Sequence, residues 1–183
     1  MLPILPVMVR AALISDTIDR LIAVIGRAAA WAVLVMVLVQ FAIVALRFAF
    51  GFGSLWMQEA LHYLLAILVL FGAAWTLQQD GHVRVDIFYA DASPRTKAKV
   101  DLAGSLLLLI PFMAAVVWFS WPYASRSWAI LEGSREAGGI PLVFLLKSSI
   151  PAFAVLMLLQ GIVQAVRAAL RLMMADAEGP ATP

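Results

Sequence analysis

Four stretches of the chain are apolar over the length of a bilayer: Ala28 to Leu46, Leu55 to Leu77, Leu102 to Trp121 and Leu142 to Val166. Crossing the hydrocarbon takes about 20 predominantly apolar residues. The first stretch holds no charge, the second holds Glu59 and His62 near its start, and the fourth holds only Lys147. Backbone groups in lipid must be satisfied within the segment or by closing a barrel, and the short alternating strands of a barrel do not occur here. The pattern therefore predicts an all-α integral membrane protein with four transmembrane helices. These form a membrane domain over residues 28–171, between an N-terminal interfacial segment over 1–27 and a flexible tail over 172–183.

Basic residues set the orientation. Arg10, Arg20 and Arg27 precede the first span, Arg84, Arg95, Lys97 and Lys99 fall between the second and third, and Arg167 and Arg171 follow the fourth. Arg47, Arg126, Arg135 and Lys147 occupy the other side, and nine against four places both termini in the cytoplasm. The first apolar run is broken by Pro3, Pro6 and Arg10 and followed by Asp16 and Asp19, unlike a cleaved leader, and is expected to be retained.

The links carry their own patterns. Ile14, Ile18, Leu21, Ile22 and Ile25 share one helical face, which fits either an in-plane helix before the first span or a longer first span. After the second span, Gly81 suits a left-handed helix cap, and Val85, Phe88 and Tyr89 form a short in-plane apolar face beside Arg84 and Asp86. Ser93-Pro94 signals a helix start, and Arg95, Lys97 and Lys99 follow where anionic headgroups attract them, as membrane-surface anchors. On the outer side, the third span is expected to continue past Pro122 through Leu131 and to break at Glu132-Gly133 and Gly138-Gly139, projecting a surface that a partner can dock on.

Composition narrows the function. The chain has 183 residues, 64% hydrophobic, and its two His and absence of Cys exclude structural zinc, iron–sulfur clusters and thiol nucleophiles. No cofactor is expected, no catalytic triad or phosphate loop occurs, and a net charge of +2 gives no reason to expect nucleic acid. His62 and His82 are separated by twenty helical residues, roughly 30 Å, and read as packed or interfacial side chains. Glu59 and Lys147 are ionisable groups in apolar spans on the outer side. Either they line a transport path, or they are a buried pair, contacts to a partner subunit or snorkelling side chains, and the structural reading is favoured. The central turns are Leu, Val, Ile, Ala and Phe, too apolar to carry a polar solute alone. Gly72, Ala73, Ala103, Gly104 and Gly161 offer places for close helix contact, and Trp56, Trp118, Trp121, Tyr123 and Trp128 read as an outer aromatic belt.

Taken in order, Trp56-Met57-Gln58-Glu59, Phe71-Gly72-Ala73-Ala74, Asp80-Gly81-His82-Val83-Arg84-Val85-Asp86, Gly133 to Leu142, Lys147, Pro151 and Leu159-Gln160-Gly161 resemble the small membrane subunit of tripartite ATP-independent periplasmic (TRAP) transporters, the DctQ-like family. The later motifs are similar to the branch labelled for mannitol or chloroaromatic compounds. Where that family commonly has two acidic residues opening span two, this chain has Gln58 and Glu59.

The resemblance implies a non-catalytic scaffold in the bacterial inner membrane. It would stabilise a large elevator subunit that imports a small organic acid with sodium, delivered by a periplasmic binding protein. Glu59, His62, Lys147, Arg84 and Asp86 are then candidates for structural or partner contacts, and Arg126, Glu132, Arg135 and Glu136 for docking the binding protein. The rival reading is a self-contained proton-coupled exporter or channel using Glu59.

Overall fold

The computed structural model describes residues 5–83 and 89–177. The expected in-plane segment with Arg84, Val85, Asp86 and Phe88 lies outside the described residues. The described chain forms four helices long and apolar enough to cross a membrane. They are α1 (Leu5–Phe50), α2 (Leu55–Gln78), α3 (Pro94–Ala129) and α4 (Val143–Ala177).

Of the two readings left open for the N-terminal segment, the structure shows the longer helix. The face at Ile14 to Ile25 and the first span are one continuous helix of 46 residues, about 69 Å at 1.5 Å per residue. That is more than twice the roughly 30 Å of hydrocarbon. The charges of α1 other than Arg47, from Arg10 to Arg27, lie in its first half. At the other terminus α4 runs to Ala177, beyond the expected end of the membrane domain at residue 171.

Ser93 begins α3 as anticipated, its hydroxyl accepting from Thr96 N at 3.2 Å, with Pro94 in the first turn. Each of α2 and α3 contains one π-helical turn, Ile67–Phe71 and Gly104–Leu109. The end of α2 corrects the expected cap. Asp80, not Gly81, takes the left-handed conformation, with φ 58°. Asp80 N donates to Leu77 O and Gly81 N to Thr76 O, a Schellman closure with glycine one place later.

The helices do not form a closed ring. α4 is the central element and packs on α3, α2 and the first half of α1, while among the described residues the backbones of α2 and α3 make no close approach. Half of the most apolar window of α4 is buried, against 11% in each of the other three. The core joins Ile22 of α1, Ala74 and Leu77 of α2, Met113 of α3 and Ala154, Leu156 and Met157 of α4. The small side chains of Ala74 and Ala154 are fully enclosed there, as close helix packing in lipid requires.

Glycine placement departs from expectation. A Cβ on Gly72 or Gly104 would meet open space, so neither marks a tight contact, whereas one on Gly161 would lie 2.9 Å from Leu109 Cδ2. The closest approach between two helices at a glycine is at Gly26, not singled out from the sequence, which lies against Trp75 of α2.

Polar side chains tie the end of the bundle that carries both termini. Arg167 of α4 pairs with Asp19 of α1 and approaches Asp16 at 3.8 Å. Gln78 Nε2 donates to Asp19 O at 2.9 Å, and Gln164 Nε2 donates to Leu77 O at 3.2 Å. Asp19 is largely buried, at 17% side-chain exposure, so removing its counter-charge leaves a poorly solvated carboxylate. Arg167→Met is expected to cost about 2 kcal/mol, seen as a lower thermal midpoint in detergent, and Asp19→Asn in the same chain should restore part of it.

Candidate partner-facing site at the loop end

At the end opposite the termini, α1 joins α2 through residues 51–54, and α3 joins α4 through residues 130–142. Helix α3 continues through Pro122 as expected, but it stops at Ala129. Leu131 adopts φ 45°, and Leu131 N and Glu132 N donate to Trp128 O and Ser127 O, closing a second Schellman turn without glycine. Trp128, expected from the sequence in an aromatic belt, belongs to this junction. Its Nε1 donates to Ser148 Oγ at 2.6 Å and its ring meets Phe144 edge-on at 4.6 Å. Trp56, Trp118, Trp121 and Tyr123 are exposed around the same end.

The expected projection is folded back onto the helices by two carboxylates. Glu59, in the first turns of α2, accepts from Ser134 Oγ at 2.5 Å with one oxygen and from the Ile140 amide at 2.6 Å with the other. The link closes on itself through Ser134 N to Ile140 O at 3.1 Å and Gly139 N to Glu136 O at 3.1 Å. Gly139 lies in the grip: a Cβ there would fall 2.3 Å from Ser134 Oγ and 2.7 Å from Glu59 Oε1. The second carboxylate, Glu132, receives Lys147 Nζ at 2.6 Å, and that ammonium also sits 4.2 Å from the centre of the Tyr123 ring.

Glu59 and Lys147 are thus not each other's partners; each is bonded to the link. The Glu59 partners Ser134 and Ile140 were not legible beforehand, since the Gly-Ser and Gly-Gly pairs signal turns but not what a turn 75 or more residues away will touch. Of the expected docking residues, Glu132 is turned inward and bonded to Lys147, while Arg126, Arg135 and Glu136 are exposed. His62 is exposed on α2 with Nδ1 donating to Gln58 O at 3.1 Å, and His82 lies at the other end. Among the expected anchors, Lys99 and Arg95 are exposed, and Lys97 Nζ donates to Ala90 O at 2.8 Å. Among the described residues no three His, Asp or Glu gather to hold a metal.

The hydrogen bond from Lys147 holds the Glu132 carboxyl below the usual carboxylate range. A group depressed on folding adds stability that is complete above its unfolded value, about 4.3, and lost as pH falls through the folded one. The 130–142 link should therefore keep constant amide-exchange protection from neutral pH down to about 5 and lose it below about 4, after correction for intrinsic rates. A Glu132→Gln variant should be less protected at neutral pH and show less of that acid dependence.

Three of the four spans have only 11% of their most apolar windows buried by the chain itself, and the charged side chains lie toward the two ends of the helices, which defines a multi-pass membrane protein. The sequence model of the family described as tripartite ATP-independent periplasmic transporters, DctQ component, matches residues 36–171. The chain belongs to that family, and is a non-catalytic, multi-pass inner-membrane component of such a transporter. No curated protein matches it.

Proposed function

We propose that this subunit is the static scaffold of a sodium-coupled importer of a small organic acid. It holds a large elevator subunit in the bilayer, while a periplasmic binding protein delivers the substrate to the side carrying residues 130–142. Both termini lie in the cytoplasm in this reading, with residues 28–171 as the membrane domain. The observation that carries it is the burial contrast: half of the most apolar window of α4 is buried by its own chain, whereas only 11% of the corresponding window is buried in each of α1, α2 and α3. Exposed aromatic and aliphatic residues such as Trp31, Phe41, Leu107 and Phe119 form these faces. A surface this extensive suits a large helical partner, and the buried side of α4 is mostly apolar, with Ala154, Met157 and Val163 and, as its buried polar side chains among the described residues, only Ser149 and Gln160.

Clamping the 130–142 link at Glu59 and Lys147 fixes where Arg135 and Glu136 stand, which supports a docking role for them and weighs against Glu59 as a coupling carboxylate. Deleting the subunit from cells that retain the other two components tests this. Uptake should fall to background and return with the wild-type chain, and normal uptake in its absence would overturn the scaffold role. A single cysteine at Arg135 in this Cys-free chain should react with an impermeant reagent from the periplasmic side.

A further inference from the structure

At the loop end, α1 and α2 line an open groove of about 720 Å³ on the surface of the bundle. Its α1 wall is Met36, Gln40, Ile43 and Arg47, a single helical stripe, and its α2 wall includes Gln58 and His62. Four of these six are polar and all four are exposed. The Arg47 guanidinium has no ion pair among the described residues, and the amides of Gln40 and Gln58 have no hydrogen-bond partner there. With Nδ1 of His62 committed to Gln58 O, Nε2 is the ring nitrogen left for a partner. The nearest carboxylate on α2, Glu59, has both oxygens engaged by Ser134 and Ile140.

Depth decides what can answer these groups. Gln40 is ten residues from the end of α1, roughly 15 Å along the helix, near the middle of a hydrocarbon layer of about 30 Å. An acyl chain offers an amide nothing to bond with, and polar side chains at such depth face protein. A lipid headgroup could reach Arg47, but Gln40 lies a further seven residues, roughly 10 Å, down the helix. An adjoining apolar groove on the same side of α1, lined by Val37, Phe41 and Val44, widens the strip without adding polar groups. A continuous strip of this length with alternating polar and apolar positions matches the side of a helix.

Resting on the scaffold reading above, we infer that this groove seats one transmembrane helix of the large subunit. That helix carries a carboxylate opposite Arg47 and a hydroxyl or amide opposite Gln40 and His62. The subunit joint is then directional, because the polar contacts fix the partner helix's height and rotation while the apolar strip supplies area.

The test uses the full chain expressed with its large subunit. Benzoylphenylalanine placed at position 40 and irradiated in membranes should give an adduct with the large subunit that maps to one helix. Arg47→Glu should lower the amount of large subunit recovered with the tagged chain by roughly tenfold, and reversing the acidic residue of the mapped helix should restore it. Gln40→Leu, which suits lipid, should lower recovery while leaving the level of the chain itself unchanged. Adducts with lipid alone or with a second copy of this chain, or full recovery with Arg47→Glu, would overturn the inference. If the large subunit is recovered with the unmodified chain yet position 40 gives no adduct with it, the groove assignment alone falls. If it is never recovered, the scaffold reading and the groove fall together.

Discussion

Gly26→Ala is expected to destabilise the subunit by about 3 kcal/mol, and Gly26→Val by more. An added Cβ would lie 2.3 Å from Cβ and 2.5 Å from Cγ of Trp75. These atoms are at the root of the indole side chain, so rotating the ring does not clear them, and relief requires α1 to move off α2. The same movement pulls on the Asp19–Arg167 pair and on the Gln78 bond to Asp19 O, since both lie two turns away on the same stretch of α1. The expected readout is a lower thermal midpoint of the purified chain and a reduced membrane level. If the steric account is right, Gly26→Ala should cost much less in a Trp75→Gly background, which lacks the clashing Cβ and Cγ, than it does in the wild-type chain. Additive losses would show that the glycine acts elsewhere.

Glu59→Ala should free the 130–142 link without unfolding the helices. It removes both acceptors from Ser134 Oγ and the Ile140 amide, and Ile140 is only 7% exposed, so its amide cannot simply turn to water. Two hydrogen bonds to a charged acceptor correspond to about 3 kcal/mol of local stability. Amide exchange over Gly133 to Ile140 should accelerate roughly a hundredfold, with α4 exchange unchanged. Gly139→Ala should reproduce the loop effect with Glu59 intact, because its Cβ would occupy the space of the Ser134 hydroxyl and crowd Glu59. If the clamped link displays Arg135 and Glu136 to the binding protein, both variants should raise the concentration of binding protein needed for half-maximal uptake. A loss confined to the maximal rate would instead point to Glu59 acting in translocation.

The helical character of α1 to α4 was legible because apolar runs of this length have one outcome in lipid, and Ser93-Pro94 fixed the start of α3 by local chemistry. Capping residues were less transparent. Asp80 and Leu131 hold left-handed conformations that their identities do not advertise, each supported by the two bonds of its Schellman turn. Close packing was harder still, since Gly26 looks no different from Gly72 or Gly104 until the neighbour across the interface is known.

The sequence by itself determined the membrane class, the number of spans and the polar character of the two ends, because the cost of placing backbone and charge in hydrocarbon acts residue by residue and leaves a linear pattern. Only the tertiary structure decided that α4 is the axis, that α2 and α3 stay apart, that Glu59 grips Ser134 and Ile140 while Lys147 takes Glu132, and that Gln40, Arg47, Gln58 and His62 share one groove. These are pairings between distant positions, and an apolar face reads the same whether its own chain, a partner or lipid is going to cover it.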